Sequence, residues 1–366
     1  MAFEETIEHQ LIQQLLESLR AIPEVQAAFD EEEPSVRRLP DRGYDARVDV
    51  RVSGRRLTLL IEAKKSLYPR DVRQALWQLR EMKRRGPEDG RPMDAVPMLI
   101  AESISPGSKE LLQAERVGYF DSGGSLFLPA SGAYLLVDKP PPKVLVKAAR
   151  LLFSGRRARV LHALLIRHAD WVGVKALAEQ TQVSPATASQ VLRELERLEW
   201  LESRGQGPAK ERHLRQPAAL LDAWVKHLAT TRPIPLRRFY VSAARDDALI
   251  DKIAQAFSEQ AADYAITDEA AAQRYAPFLT NISQVRCRLV PGLAVDEALG
   301  VIGARAVNEG ANLTVIDTKS SSELLFREKV GGCWLASPVQ VYLDLLQSEG
   351  RAKDMAEHLR RERIGF

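Results

Sequence analysis

Cysteine and long apolar runs are both scarce in this sequence of 366 residues. Only Cys287 and Cys333 occur, with no CxxC pair and no cluster with any of the six histidines. These spacings argue against a disulfide framework or a structural zinc site, so we expect two buried thiols. No apolar run approaches the roughly 20 residues that a membrane span needs, and the N-terminal MAFEETIEHQ has no hydrophobic signal core. We therefore expect a cytoplasmic protein with no membrane partner.

The sequence also lacks a strong net charge. It contains 52 Lys and Arg and 49 Asp and Glu, which gives a net charge of +3. The charges are nevertheless unevenly distributed. Residues 143–227 hold 15 Lys and Arg against 8 Asp and Glu, a local charge of +7, whereas residues 1–142 hold 20 against 23 and residues 237–366 hold 16 against 18. A basic excess confined to one segment indicates a polyanion partner for that segment.

Two proline-rich stretches divide the chain into three segments. DKPPPK at 138–143 and TTRPIPLRR at 230–238 cannot continue a helix or a central strand. We expect domains at 1–138, 143–230 and 237–366. The order of helix, hairpin, helix, strand, helix and short strands in the first segment predicts an α/β layer. The whole chain is expected to combine α/β and α+β domains.

The stretch TLLIEAKKS at 58–66 is an apolar strand that ends in charge. The preceding DARVDVRV at 45–52 alternates between apolar and polar residues, which predicts a β-hairpin around Ser53-Gly54. If the turn has an even number of residues, Asp49 and Glu62 lie on the same face of this hairpin.

The partner of Asp49 across the hairpin is then Thr58 or Leu60. With Leu60 opposite, Glu62 is the diagonal neighbour of Asp49, at a backbone distance of about 7 to 8 Å. Two carboxylates at that separation can hold one Mg²⁺, which takes few protein ligands and would activate water for phosphodiester hydrolysis. Lys64 would stabilise the developing negative charge. The alternative is a set of solvated charges at the end of a sheet.

Asp49, Glu62 and Lys64, with the helix and strand order around them, resemble the PD-(D/E)xK nuclease superfamily over about the first 135 residues. The resemblance implies a restriction-endonuclease-like α/β domain, with Asp49 and Glu62 as metal ligands and all three residues catalytic if the site is competent. Glu8 and Gln78 stand where some members place accessory residues. Because many domains of this fold bind DNA without cleaving it, we leave catalysis open.

The basic segment begins with RRARVLHALLIRHADWVGVKALAEQTQVSPATASQVLRELERLEWLESRG at 156–205, which reads as three helices with two short connections. Ser184 as N-cap and Pro185 at the first helical position predict the start of the third helix. The apolar residues of this helix recur at helical spacing, which predicts a buried stripe. The stripe consists of Ala188, Val191, Leu192, Leu195 and Leu198.

The opposite face of the third helix offers short polar and basic side chains suited to reading base edges in a major groove. These candidate DNA contacts are Ser184, Thr187, Ser189, Gln190 and Arg193. The following WLESRGQGPAKERHLR places Arg204, Lys210 and Arg212 around a Gly/Pro tip. The segment resembles a winged helix-turn-helix, which implies a double-stranded DNA partner. The alternative is a helical bundle with a hairpin.

The last segment contains AITDEAAAQRYAPFLT at 265–280, SPVQVYLDLL at 337–346 and GRAKDMAEHLR at 350–360. These stretches resemble the C-terminal domain of AbiEi-type transcriptional regulators, the antitoxins of type IV toxin-antitoxin systems, in which a winged helix precedes this α/β domain. The resemblance implies repression of the protein's own operon and neutralisation of a nucleotidyltransferase toxin without a tight complex. The larger apolar residues here are expected in the core, namely Tyr275, Phe278, Tyr342, Leu343 and Leu346.

The leading hypothesis is therefore a DNA-binding regulator of the AbiEi class with a nuclease-like N-terminal domain. The alternative is a Mg²⁺-dependent DNA endonuclease that its winged helix delivers to DNA. A third hypothesis is an antitoxin that acts mainly through protein contacts. Winged regulators often read paired half-sites, which makes a homodimer plausible.

Overall fold

The computed structural model describes residues 2–22, 25–29, 45–52, 55–84, 95–130, 133–242, 246–278, 282, 284–348 and 350–366. These residues form a mixed α/β protein with three sheets, as expected. The chain divides into two compact units: unit 1 is Met1–Leu152 with Arg193–Glu199, and unit 2 is Phe153–Leu192 with Trp200–Phe366. None of the described helices combines the length and apolar character that crossing a membrane requires.

Unit 1 is built on a seven-stranded sheet in which neighbours in sequence are neighbours in space, from β1 to β7. Strands β3, β4 and β5 are parallel, and the remaining pairs are antiparallel. Its elements are α1 (Ala2–Arg20), β1 (Val25–Phe29), β2 (Ala46–Val52), β3 (Arg55–Leu67), α2 (Pro69–Arg84), β4 (Val96–Ile104), α3 (Pro106–Ala114), β5 (Gly118–Asp121), β6 (Leu126–Ala130), β7 (Ala133–Val137) and α4 (Lys143–Leu152).

The two faces of this sheet carry separate apolar clusters. On one face, Leu15 of α1 belongs to the same cluster as Ile61 of β3. On the other face, Val72 of α2 belongs to the same cluster as Leu99 of β4. Because successive side chains of a strand point to opposite faces, Glu62, which pairs with Leu99, lies on the α2 side. The hairpin predicted from the alternation in 45–52 is confirmed as β2 and β3.

The basic segment folds into short helices and a three-stranded antiparallel sheet in the order β8-β10-β9. The three predicted helices are confirmed, while β8 between the first two was not predicted. The elements are α5 (Gly155–Ile166), β8 (Trp171–Gly173), α6 (Val174–Thr181), α7 (Pro185–Arg197), β9 (Leu201–Arg204), β10 (Glu211–Leu214) and α8 (Pro217–Ala229). Helix α7 begins at Pro185, and the amide of Thr187 donates to Ser184 Oγ over 3.2 Å, which confirms the predicted cap.

The rest of unit 2 is a second seven-stranded sheet with mixed strand directions, in the order β14-β11-β15-β13-β12-β17-β16. Both cysteines lie in it and are buried free thiols, as expected. The elements are β11 (Leu236–Tyr240), α9 (Asp246–Glu259), β12 (Tyr264–Thr267), α10 (Asp268–Tyr275), β13 (Val285–Leu289), α11 (Leu293–Val301), β14 (Arg305–Ala306), β15 (Leu313–Asp317), β16 (Glu328–Val330), β17 (Cys333–Leu335), α12 (Pro338–Leu345) and α13 (Ala352–Leu359).

The predicted core of the last segment is confirmed at Tyr342 and Leu343, which are buried. Phe278 differs from the expectation because 46% of it is exposed. Helix α10 ends at Tyr275, so Phe278 lies beyond the packed helix, and its ring sits 5.0 Å from that of His358.

A buried histidine joins the helices of the basic segment to the second sheet within unit 2. His162 of α5 has Nε2 2.5 Å from Oγ of Ser337, the N-cap of α12, and its ring is 4.9 Å from Phe326. Burial, reinforced by the nearby Arg288 guanidinium, lowers the pKa of His162 to about 3. The imidazole is therefore neutral at physiological pH, and because Ser337 Oγ accepts from Gln340, its hydroxyl proton can go to His162.

Candidate functional site

The register of the β2–β3 hairpin decides which carboxylates lie near each other. Asp49 pairs with Thr58, and Thr58 Oγ1 donates to Asp49 Oδ1 over 2.7 Å. Of the two partners that the sequence allowed, Thr58 rather than Leu60 is therefore the one opposite Asp49. This pairing confirms that Asp49 and Glu62 lie on the same face of the hairpin. It also shows that they are not the diagonal neighbours that the sequence predicted for Leu60 opposite Asp49.

Glu62 lies four residues along β3 from Thr58. Four residues of a strand span about 13 Å, so the carboxylates of Asp49 and Glu62 do not converge on one ion. This separation corrects the expected geometry of the metal site. The physical reason is that Val52 pairs with Arg55, which makes the connection two residues long and shifts Asp49 away from the charged end of β3.

Asp45 is the acidic residue that the structure brings to Glu62. Its amide donates to Ile61 O over 2.7 Å, and its Oδ2 accepts from the amide of Ala63 over 2.7 Å. The carboxylate of Asp45 therefore sits beside the backbone between Glu62 and Lys64. The Lys64 Nζ lies 2.6 Å from Glu62 Oε1, and the Glu62 and Lys64 side chains are 15% and 47% exposed.

This end of the hairpin offers two carboxylates and one ammonium group. Among the described residues, no group of three or more His, Cys, Asp or Glu side chains could hold a metal ion. Two carboxylates suffice for Mg²⁺, which commonly keeps waters in its other positions, so Asp45 and Glu62 are the candidate ligands at this end of the hairpin. The simpler structural role of Asp45 is to accept the Ala63 amide at the end of the ladder.

The two accessory candidates have different positions. Glu8 lies on α1, which packs against the face that holds Leu59 and Ile61. Glu62 points to the opposite face, so the fold does not place Glu8 on its side of the sheet. Gln78 lies on α2, on the same side as Glu62, and is exposed.

The N-terminal half of α7 presents a polar surface. Ser184 and Gln190 are exposed, and Thr187 and Ser189 are half-buried. The Ser184 hydroxyl lies 2.9 Å from Thr187 Oγ1 in addition to capping the helix. Gln190 Oε1 accepts from Arg157 of α5 over 3.1 Å, which orients the Gln190 amide. These side chains could hydrogen-bond to base edges or phosphates.

The C-terminal half of α7 groups with unit 1. Arg193 is exposed, as a DNA contact requires. Arg197 donates through Nη2 to Asp71 Oδ2 over 2.7 Å within unit 1. Arg197 is therefore engaged within unit 1, whereas the polar surface of the first two turns of α7 belongs to unit 2.

The β9–β10 hairpin carries the other predicted contacts. Its tip requires glycine at position 205, which has φ +75°, because a Cβ there would lie 2.7 Å from Ala209 O. Arg204 is exposed, pairs with Glu211 over 2.8 Å and stacks 4.3 Å from the Trp171 ring centre. The hairpin thus holds this guanidinium at the surface in a defined orientation.

The other two basic candidates of the hairpin are less accessible. Lys210 is half-buried. Arg212 is only 6% exposed, and its Nη1 donates to Lys210 O over 3.2 Å. Arg212 therefore supports the hairpin from within and does not belong to the exposed surface, which corrects the expectation that it contacts DNA. Its burial follows from its central position in the sheet, where β10 pairs with both β8 and β9.

Comparisons with known proteins do not assign this chain to a family. No protein-family model, curated protein or solved structure matches it.

Three residues of the candidate surfaces were missed by the sequence interpretation. They are Asp45, Arg157 and Trp171. A two-residue turn at Ser53-Gly54 would have paired Asp45 with Glu62, so the sequence did contain a signal for the first. Arg157 and Trp171 act through contacts between separate elements, for which the sequence carries no local pattern.

Proposed function

We propose that this protein is a DNA-binding transcriptional regulator in which α5–α7 and β8–β10 act as a winged helix-turn-helix. The observation that carries the proposal is the first half of α7, a capped helix start whose outer face is short and polar. In a winged helix such a face enters the major groove, and the hairpin beside it contacts the backbone.

The charge distribution supports the same function. Residues 143–227 carry a local charge of +7 between two segments that are slightly acidic. Basic side chains around a recognition helix neutralise phosphates, and their contribution to affinity falls as salt rises. Arg204 is suited to this role because its ion pair and its ring contact hold it at the surface.

Sequence readout would come from Gln190 and Arg193. A glutamine amide can pair with adenine through two hydrogen bonds, and an arginine can do so with guanine. The hydrogen bond from Arg157 fixes the direction of the Gln190 amide, so the free protein already holds this side chain in one orientation. Thr187 and Ser189 would add contacts to bases or phosphates from the first turns of α7.

The resemblances found in the sequence extend this proposal. An AbiEi-type C-terminal domain would make the protein an antitoxin that represses its own operon and neutralises a nucleotidyltransferase toxin. A restriction-endonuclease-like N-terminal domain would add affinity for DNA. Binding as a homodimer would suit an operator with two half-sites. A nucleotidyltransferase gene beside this one would support the antitoxin role.

The test is a mobility-shift titration of the full chain with a labelled fragment from upstream of its gene. We expect binding at low salt, and Arg193→Ala to weaken specific binding by about 1 to 3 kcal/mol. Arg305→Ala, which removes an exposed arginine from β14, is the matched control and should leave affinity unchanged. Absence of a shift at low salt, or equal losses in both variants, would contradict the proposal.

A second candidate function, Mg²⁺-dependent DNA cleavage, rests on Asp45, Glu62 and Lys64. The two carboxylates would hold the ion, and Lys64 would stabilise the negative charge that develops on the phosphate. Bound Mg²⁺ would supply Lewis-acid activation of the phosphate and water. In the free protein Lys64 occupies a carboxylate oxygen of Glu62, so its ammonium group already lies beside the ligand pair.

Plasmid nicking with Mg²⁺ tests this function and distinguishes the role of Asp45 from that of Asp49. We expect Glu62→Gln and Asp45→Asn to abolish nicking, whereas Asp49→Asn retains it because Asp49 pairs with Thr58, four residues along β3 from Glu62. Nicking that persists in Glu62→Gln would remove the site. Loss in Asp49→Asn but not in Asp45→Asn would restore the geometry expected from the sequence.

A further inference from the structure

Unit 2 contains a cleft that neither DNA binding nor phosphodiester hydrolysis uses. The cleft has a volume of about 590 Å³ and lies between the end of α8, the segment that leads into β11, and helices α12 and α13. Small-molecule sites commonly have volumes of about 300 to 1,000 Å³. The lining residues are contributed by elements of unit 2 alone, so the cleft belongs to a single compact body.

The walls of the cleft are largely apolar. Val225 and Leu228 come from α8, Ile234 from the segment that leads into β11, Leu236 from β11 itself and Ile316 from β15. Ile234 and Leu236 are each 37% exposed, so they leave apolar surface in contact with water. An apolar ligand body would cover that surface and gain the free energy of its removal from water.

Two of the charged side chains that line the cleft are already paired. Arg286 Nη1 lies 2.6 Å from Asp268 Oδ2, and Asp344 accepts hydrogen bonds from the buried Arg288. Each pair is neutral as a unit and forms part of the wall. These side chains therefore give the cleft little net preference for a ligand charge.

Lys353 is the charged lining residue that remains. It lies in the first turn of α13, is exposed, and forms no ion pair with any residue that the structure describes. An ammonium group at the rim of an apolar cleft favours a ligand with a negative group at one end. The side-chain amide of Gln347, also in the lining, can donate a hydrogen bond to the same group.

We propose that this cleft binds a small molecule with an apolar body and a single carboxylate. The body would pack between Leu228, Ile234 and Ile316, and the carboxylate would face Lys353. Such a ligand would contact α8 and the C-terminal helices at once.

The test uses 1-naphthylacetate and its neutral counterpart 1-naphthylacetamide, which share one apolar body and differ in charge. Each is titrated into the full chain by isothermal calorimetry. We expect the carboxylate to bind at one site and more tightly than the amide by about threefold, the size of a solvated ion pair. Lys353→Gln should remove that preference while leaving the weaker binding of the amide.

Ala229→Trp is the cleft-filling variant, because Ala229 lines the cleft and is exposed, so a large side chain can enter without disturbing the core. Lys226→Trp is its matched control, an exposed position on the same helix outside the lining. We expect Ala229→Trp to weaken binding of both probes at least about tenfold, since it occupies the space of the ligand body, and Lys226→Trp to leave it unchanged.

Three outcomes would overturn the proposal. One is the absence of saturable carboxylate binding in the millimolar range. Another is equal binding to Ala229→Trp and to Lys226→Trp, which would move the probe to a different surface. The third is a preference for the carboxylate that survives Lys353→Gln. Because none of these variants touches α7 or the β2–β3 hairpin, each outcome is independent of DNA binding and of cleavage.

Discussion

The Glu62–Lys64 pair of unit 1 and the Asp344–Arg288 pair of unit 2 join the same kinds of charge in opposite surroundings. The Glu62 and Lys64 side chains are 15% and 47% exposed, whereas those of Asp344 and Arg288 are 2% and 9% exposed. An ion pair open to water contributes little to stability, while a buried carboxylate that loses its cation is strongly destabilising.

The carboxylates of Asp344 and Glu62 also differ in the number of groups that they contact. The Asp344 carboxylate accepts from Thr267 Oγ1, from Arg288 Nε over 2.8 Å and from Gln340 Nε2 over 2.9 Å. Its oxygens are engaged on every side, so it holds β12, β13 and α12 together and has little capacity left for a ligand. Glu62 has one ion pair, to a flexible lysine that can move aside. The comparison indicates that the buried pair stabilises the fold, whereas the open pair is the one that a ligand could reach.

The largest expected effect comes from breaking the buried pair. Arg288→Met leaves Asp344 buried without its cation, and we expect the free energy of unfolding to fall by about 3 to 5 kcal/mol. Urea unfolding followed by circular dichroism measures it. Arg237→Met is the control, because Arg237 pairs with Asp317 in the same sheet but both are over a third exposed, and it should cost at most about 1 kcal/mol. Equal losses would refute the distinction.

The next effect is the pH dependence due to His162, which lies beside the buried pair. Burial and the Arg288 charge lower its pKa from 6.5 to about 3. The unfolded chain takes up a proton below pH 6.5 and the folded chain does not, so this contribution to stability is complete above pH 6.5 and is lost as the pH falls toward 3. Between pH 7 and 4.5 we expect it to fall by about 2 to 3 kcal/mol.

Urea unfolding of the native chain and of His162→Gln at a series of pH values measures the contribution of His162 to the free energy of unfolding. The variant should lose less stability than the native chain between pH 7 and 4.5. His9→Gln, which removes an exposed histidine of α1, should follow the native curve. Parallel curves for His162→Gln and the native chain would show that His162 titrates normally.

The smallest expected effect is at the open pair. Glu62→Gln removes one partner of a solvated ion pair, and we expect the free energy of unfolding to change by less than about 1 kcal/mol. Thermal unfolding of the variant measures the change. A loss as large as that of Arg288→Met would make Glu62 a structural residue. It would contradict the distinction between the open and the buried pair.

The β2–β3 hairpin illustrates what could and could not be predicted at the candidate site. Alternating residues in 45–52 predicted the strand, and the side-chain period of two predicted that Asp49 and Glu62 share a face if the turn has an even number of residues. The distance between them depends on the turn length, since each residue added to the turn shifts the pairing. For an even turn the shared face was therefore predictable, but the distance between the two carboxylates was not. This is why Asp45 was overlooked.

Helix α7 illustrates the opposite case. Its start depended on local chemistry, because Ser184 and Pro185 act on the backbone within one turn, and the prediction was confirmed. The burial of Arg212 was not predictable in the same way. Its exposure depends on which strands flank β10, and β8 was absent from the predicted elements.

By itself, the sequence determined the mixed α/β class, the positions of most helices and strands, and the basic character of the middle segment. These properties follow from composition, side-chain period and caps, all of which act over a few neighbouring residues. The tertiary structure decided which carboxylate accompanies Glu62, which arginines reach the surface, and that α8 and the C-terminal helices enclose a cleft. Each of these depends on pairing and packing between residues far apart in the chain, for which no local pattern exists.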